Sequence, residues 1–239
     1  MAGRILPVVW HDQRNNELYK WGTCNATSIA MVMQYKNKIP ADYDKGVPLQ
    51  FYINKYQPVF TMKDEDGIIG KGTQLDDYVT IQLATPAAWE IHKKTMPTDW
   101  RNYNPRNNPF VLQWYLESVG IKDKFYQVSK ENDKSALYRD GQKIMNGNIE
   151  ILSNIRASID RDMPVIMAGS YTRKRTNGTQ DTITHINVAV GHDDNNIIVN
   201  DPFGSMLNYY LPFPNDGDHV VVPNEFLRDH VTQLHILSV

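Results

Sequence analysis

Thr23-Cys24-Asn25-Ala26-Thr27-Ser28-Ile29-Ala30-Met31-Val32-Met33-Gln34-Tyr35 is the stretch around which this chain is read. It holds the only cysteine of 239 residues. Behind Cys24, the apolar residues Ala26, Ile29, Ala30, Met33 and, less strictly, Val32 follow the i, i+3, i+4, i+7 spacing of a helix packed on a core. Thr23 is placed to cap that helix, which puts Cys24 in its first turn. The N–H groups there have no intrahelical acceptor, and the positive end of the macrodipole favours an anion. A thiol so placed has a lowered pKa and acts as a nucleophile near neutral pH. The ordinary fate of a lone cysteine is that of a small buried hydrophobe, and the helix alone does not decide against it.

The bulk properties bound the answer. The chain has the length of one large domain, or of one domain with an insertion. It is 41% hydrophobic and 22% charged, the composition of a globular protein. A net charge of −2 gives no electrostatic reason to expect a nucleic-acid or anionic-membrane partner. One cysteine excludes an internal disulfide. No apolar run approaches the roughly 20 residues of a spanning helix, so membrane insertion is not expected. Met1 to Pro7 has no apolar stretch of signal-peptide length, so synthesis is expected to be cytoplasmic.

Working outward from the cysteine, residues 5 to 10 read as a short extended segment. A polar loop with Gln13 follows, and the helix stops before Pro40. Residues 40 to 80 are poorly patterned. Asp64-Glu65-Asp66-Gly67 invites a calcium-loop reading, but such a loop ends in a bidentate Glu and Leu75 stands there, so a solvated turn is the better reading. Thr85-Pro86 and Asn108-Pro109 each signal a helix start, with an N-cap followed by proline. Phe110, Val111, Trp114, Tyr115 and Val119 form the expected apolar side of the second of these helices, closed by Gly120. A further helix is predicted from Asn148 to about Arg161, with Ile149, Leu152, Ile155 and Ile159 inward. Arg101 to Asn108 and Ser129 to Asp140 read as loops.

From Met163 the period changes from 3.6 to 2. Strands are expected at Pro164 to Ala168, Ile183 to Val190, Ile197 to Asn200, His219 to Val222 and Val231 to Leu237. Asn177-Gly178 is expected at a hairpin tip, and a short helix near Asn224 to Asp229. Helices first and an antiparallel sheet last make an α+β layout.

A cysteine nucleophile needs a base and a group to orient it. Of seven histidines, His185 can be placed by geometry. If the strands at Ile183 and Ile197 form a hairpin turning near Asp193-Asp194-Asn195, His185 faces residues 202 to 204, within a few positions of Asp201. The Asp201 carboxylate would then take the Nδ1–H bond that fixes the tautomer; a surface ion pair at a strand end is the alternative. His192 competes, but its place in a turn predicts an exposed, loosely held ring. A zinc site from His185, His192, Asp193 and Asp201 fits by residue type. The odd offset between the histidines points them to opposite faces of one strand, against shared ligation.

Four blocks in this order resemble the papain-like cysteine peptidases of the bacteriocin-processing type. Gln13 with Cys24-Asn25-Ala26-Thr27-Ser28-Ile29-Ala30-Met31-Val32 is similar to that family's Gln and Cys-Gly-Pro-x-Ser-(apolar)-Ala-Met blocks. Asp162-Met163-Pro164-Val165-Ile166 is similar to its Gly-x-Pro strand. His185-Ile186-Asn187-Val188-Ala189-Val190-Gly191-His192-Asp193 resembles its His strand, and Asn196 to Gly204, with Asp201-Pro202-Phe203-Gly204, its Asp-Pro-x-Gly block. The resemblance implies Cys24 as nucleophile, His185 as base, Asp201 as orienter and the Gln13 side chain as oxyanion donor. It prefers His185 over His192, which falls where the family has an aromatic residue. No cofactor or metal is implied.

Asn25-Ala26 stands where the family has Gly-Pro, and His185 lies 161 positions after Cys24. Residues 40–150 are therefore expected to build a helical insertion within one papain-like hydrolase domain spanning 1–239. The family includes domains of peptide exporters and stand-alone bacterial and phage hydrolases. With no transporter following, a free-standing enzyme is expected. The expected function is cleavage of peptide or amide bonds, on peptidoglycan after release from the cytosol. A protein-processing thiol protease, or a non-catalytic binding module on the same fold, is the alternative. The aromatics Phe51, Tyr52, Tyr56, Phe60, Trp89, Trp100, Tyr103, Phe110, Trp114 and Tyr115 are expected mostly in the core, any remainder offering stacking surfaces for substrate.

Overall fold

The structure, a computed structural model, describes residues 3–19, 21–60, 74–96, 98, 101, 103–128, 135–139, 142–147, 150–175, 177–210 and 216–239, with 135–139 and 142–147 as backbone only. The acidic segment at Asp64, expected to be a solvated turn, and Trp100 lie outside them. In chain order the elements are β1 Arg4–Ile5, a 3₁₀ turn Gln13–Asn15, α1 Cys24–Tyr35, α2 Leu49–Tyr56, α3 Leu75–Gln82, α4 Pro86–Thr95 and a 3₁₀ turn Pro105–Asn107. Then come α5 Pro109–Ser118, β2 Lys122–Val128, β3 Ser135–Arg139, β4 Gln142–Gly147, α6 Ile151–Asp160, β5 Val165–Lys174 and β6 Gln180–His192. The chain ends with β7 Asn196–Asn200, a 3₁₀ turn Met206–Asn208, β8 Val220–Pro223, α7 Asn224–His230 and β9 Val231–Ser238.

Among the described residues the strands form one antiparallel sheet in the order β4-β3-β2-β9-β5-β6-β7-β8, with β1 beside the end of β6. The α+β layout is as expected. The Thr85 hydroxyl accepts the Ala88 N–H and the Asn108 side chain accepts the Phe110 N–H, so both proline-led helices start where their caps place them. Gly178 takes a positive φ of 83° at the tip between β5 and β6, a turn that a side chain would strain.

The segment 40–150 is not wholly helical. Its last part, β2 to β4, joins the sheet through β9, and β3 falls where a loop is expected by composition. The β2 strand is hidden because its inward positions are Asp123 and Phe125. The carboxylate inside breaks the apolar alternation and is tolerated because His235 Nδ1 meets Asp123 Oδ2 at 2.6 Å. The inward side of α5 is also rotated: Val111, Leu112, Tyr115 and Leu116 are buried, while Trp114 stays partly exposed. On α6, Leu152, Ile155 and Ile159 point inward as the periodicity predicts; Ile149 is outside the described residues.

The helix α1 is more central than one apolar face implies. Every residue from Asn25 to Met33 is buried, the signature of a helix enclosed on all sides. It lies between α3 and β6. Burial leaves its polar side chains in need of partners. Thr27 Oγ1 accepts from Asn16 Nδ2 at 3.0 Å, Ser28 Oγ donates to the Ile186 carbonyl at 3.4 Å, and Asn25 Nδ2 donates to the Arg106 carbonyl. These three bonds tie the helix start to the preceding loop, to β6 just past His185, and to the turn Pro105–Asn107. Among the described residues no helix is long and apolar enough to cross a membrane.

Candidate active site

The start of α1 is held from both sides. Asn16 donates to Thr23 Oγ1 at 2.9 Å as well as to Thr27. Thr23 occupies the cap position but its hydroxyl serves Asn16 and makes no cap bond, unlike the expectation from sequence. The loop that carries Gln13 and Asn16 is pinned in turn by α3. The Asp77 carboxylate accepts the N–H groups of Glu17 and Leu18 at 3.0 and 2.9 Å. His11 bridges Asp76 Oδ1 at 2.7 Å and Gln34 Oε1 at 2.8 Å.

Burial, with the charges of Asp76 and Glu17, pushes Asp77 up to about 7 although the two N–H groups pull it down. Its folded value thus lies above the unfolded value of about 3.9. The protonated carboxyl therefore stabilises the fold below about pH 4, and that contribution fades as the pH rises towards 7. Asp77→Asn keeps an acceptor for both N–H groups. It is expected to remove this slope and to gain up to about 4 kcal/mol over the parent above pH 7. Melting curves at pH 4 and pH 8 check this; equal pH dependence in the two proteins contradicts it.

The hairpin of β6 and β7 has the expected register, with Val188 opposite Asn200 and Ala189 opposite Val199. It delivers His185 to Asp201: Nε2 meets Oδ1 at 2.6 Å, with both residues buried, His185 3% exposed and Asp201 0%. The ring uses Nε2 for this contact, a correction to the Nδ1 bond read from sequence. Nδ1 is thereby left for the thiol of Cys24, whose ionised form the neighbouring His185 favours. Cys24 itself is only half-buried.

Asp201 is over-determined. Its N–H donates to the Gly217 carbonyl at 2.8 Å, its carbonyl accepts from Trp10 Nε1 at 2.7 Å, and Oδ1 also accepts the Phe203 N–H at 3.0 Å. A methyl at Gly217 would overlap the Asp201 carbonyl and stand 3.0 Å from the Trp10 indole nitrogen, so only glycine fits there. Around His185 pack the rings of Tyr210 at 5.4 Å, Phe203 at 6.2 Å and Tyr171 at 6.4 Å. Tyr210 stays protonated far above its usual range, through burial and the neighbouring Asp201 charge.

The electrostatics follow from this packing. Burial would raise the Cys24 thiol, but the charge and hydrogen bond of His185, with the N–H groups of Ile186 and Asn25, hold it below its usual value. Burial would lower His185, but the Asp201 carboxylate and then Cys24 outweigh it and push it up to about 10. Both shifts favour the thiolate and imidazolium form of the pair.

Three of the four residues nominated from sequence thus meet: Cys24, His185 and Asp201. Gln13 is buried beside them; its N–H donates to the Pro202 carbonyl at 2.9 Å, in the same turn whose Asn16 holds Thr23. His192 is elsewhere. It is not in a turn and not exposed: it ends β6 opposite Arg4, is 6% exposed, and its Nε2 meets Asp160 Oδ1 at 2.9 Å. The short β1 strand covers it, and nothing near Ile5 in the sequence announces that pairing. Of the insertion aromatics, Tyr52, Trp89 and Tyr115 are core, while Phe51 and Tyr103 are exposed. The rings around His185 come from other segments. Of these only Phe203 lies in a block singled out by sequence; Tyr171 and Tyr210 carried no periodic or motif signal.

The chain matches the family model described as the Peptidase_C39 like family over residues 5–214. The solved structure of a candidate C39-like peptidase from Bacillus anthracis aligns with it at a TM-score of 0.40 and 16% identity, over 100% of this chain and 99% of that one. That superposition is too loose to transfer any residue. Among curated proteins nothing matches.

Proposed function

Because the chain belongs to the Peptidase_C39 like family, we propose that it is a cysteine-dependent hydrolase of peptide or amide bonds. The observation that carries this reading is the His185 ring, held by Asp201 at 2.6 Å through Nε2 and so presenting Nδ1 to the thiol at the start of α1. In the first step the Cys24 sulfur bonds to the substrate carbonyl carbon and the carbonyl π pair moves onto oxygen. The Cys24 N–H, among the first of the helix and without an intrahelical acceptor, donates to that oxyanion together with the Gln13 side chain. Such donors are worth roughly 3 to 4 kcal/mol. The Nδ1 proton of His185 then passes to the leaving nitrogen as the C–N bond breaks. Neutral His185 next takes a proton from water, which attacks the thioester and releases the acid and the thiolate. Asp201 keeps the ring oriented and its positive charge matched.

Ionised thiol and protonated ring are both needed at the outset, so kcat/KM is bell-shaped. It rises through the lowered pKa of Cys24 and falls as His185 loses its proton, towards pH 10. A profile whose rising limb sits at the pKa of an ordinary thiol, about 8.5, contradicts the ion pair.

For the substrate we favour peptidoglycan. Trp21, three residues before Cys24, is 62% exposed, and its ring lies edge-on to Phe203 at 5.5 Å. It stands on the rim two ring contacts from His185, a surface suited to stacking on a sugar or peptide strand. Purified protein is to be incubated with isolated bacterial cell walls and, in parallel, with an unfolded protein. New amino groups from the wall that depend on Cys24 support this substrate. Cleavage of the unfolded protein with the wall untouched rules it out in favour of a protein-processing protease. No Cys24-dependent cleavage of either, with a thiol that alkylates slowly, points to a binding module.

A further inference from the structure

Arg106, in the turn Pro105–Asn107, is a buried cation without a carboxylate partner among the described residues. It is 3% exposed, and its Nη1 is enclosed with no hydrogen-bond partner. Its Nε donates to the Asn104 side-chain oxygen at 3.2 Å, and the guanidinium lies 4.2 Å from the centre of the Tyr19 ring. Among the described residues no ion pair joins it to Asp or Glu. Burying a guanidinium is costly, and a residue needed only to fill space over Tyr19 could be Met or Leu at no such cost. Burial lowers the Arg106 pKa, and the groups whose charge opposes that are Tyr19 and then Cys24. The connection is mechanical as well. Asn25, which follows the nucleophile and stands where the resembled family has glycine, donates its side-chain N–H to the Arg106 carbonyl and lies 3.5 Å from Asn107 Oδ1. The turn is thereby clamped to the first turn of α1.

We propose that Arg106 is a positioning residue for the nucleophile, a fixed buried charge clamped to α1 through Asn25 that holds Cys24 as the thiolate. The proposal rests on the reading of Cys24 as nucleophile. A carboxylate partner on Arg106 would compete with the sulfur for its charge, which gives the absence of an ion pair a purpose. Among the described residues, the other titratable groups coupled to the sulfur are His185 from β6 and Tyr210 from the segment after β7. Arg106 adds a cation that, unlike His185, keeps its charge through the catalytic cycle, because guanidinium does not deprotonate in this range.

The test is the rate of Cys24 alkylation by iodoacetamide from pH 4 to 10 at low ionic strength, with melting curves recorded for each variant. Arg106→Met is expected to move the acid limb up by about one pH unit, a roughly tenfold slower reaction below neutral pH. Arg106→Lys, which keeps the charge, is expected to stay within about 0.3 unit of wild type on the same reasoning. A folded Arg106→Met protein with the wild-type limb, or a Lys variant shifted as far as Met, overturns the proposal. Should Arg106→Met not fold, His185→Ala is measured instead. There Arg106, with the N–H groups of Ile186 and Asn25, is expected to keep the limb below that of a free cysteine, and a limb at or above it overturns the proposal. A wild-type thiol that titrates like a free cysteine defeats the nucleophile reading itself, and the proposal with it.

Discussion

Replacing Cys24 with Ala is expected to lower kcat by on the order of 10⁵ to 10⁶, as loss of the nucleophile does in other covalent hydrolases. That corresponds to roughly 7 to 8 kcal/mol of transition-state stabilisation. The fold is expected to survive, because the side chain is half-buried at a helix start and the apolar face begins behind it. His185 keeps its partner Asp201, and Arg106 keeps Asn104 and the Tyr19 ring. A melting temperature within about 4 °C of the parent is the expectation for a change of about 1 kcal/mol in a chain of this size. His185→Ala is expected to be comparably severe, and the double variant no worse than either single one, since residues that act as a unit fail together. Turnover within tenfold of wild type in either single variant would sink the mechanism.

Asp201 is expected to separate geometry from charge. Its Oδ1 accepts both His185 Nε2 and the Phe203 N–H, at 2.6 and 3.0 Å. In Asp201→Asn the Phe203 N–H selects the amide oxygen for that position, so the ring keeps its orientation and its tautomer. What is lost is the negative charge, so the His185 pKa falls from about 10 and the alkaline limb of kcat/KM moves down. A loss of about 10- to 100-fold is expected, milder than when an orienter's replacement presents the wrong tautomer. Asp201→Ala loses orientation as well, and about 10³ to 10⁴ in kcat is expected. An Asn variant as impaired as Ala, or an Ala variant near wild type, would remove Asp201 from the role of orienter.

Local physics was legible in the chain from the start. The helix behind Cys24 follows from side-chain period, the starts of α4 and α5 from cap-proline pairs, and the placing of His185 beside Asp201 from hairpin register. In each case the bonds concerned close within a few residues or across one turn. Patterns failed where a distant partner changes what a residue can tolerate. The strand β2 carries Asp123 inward only because His235 waits on β9. His192 is buried only because β1 returns to cover it. The Thr23 hydroxyl abandons its cap because Asn16 claims it. The choice of Nε2 over Nδ1 on His185 was likewise beyond the sequence, since it depends on how Asp201, Phe203 and α1 pack around one ring. The sequence by itself determined which side chains had the right chemistry and which short segments present them. Only the tertiary structure brought Cys24 to His185 and buried Arg106 in the turn that holds Asn25, because burial of groups far apart in sequence is a property of the whole core and leaves no local period to read.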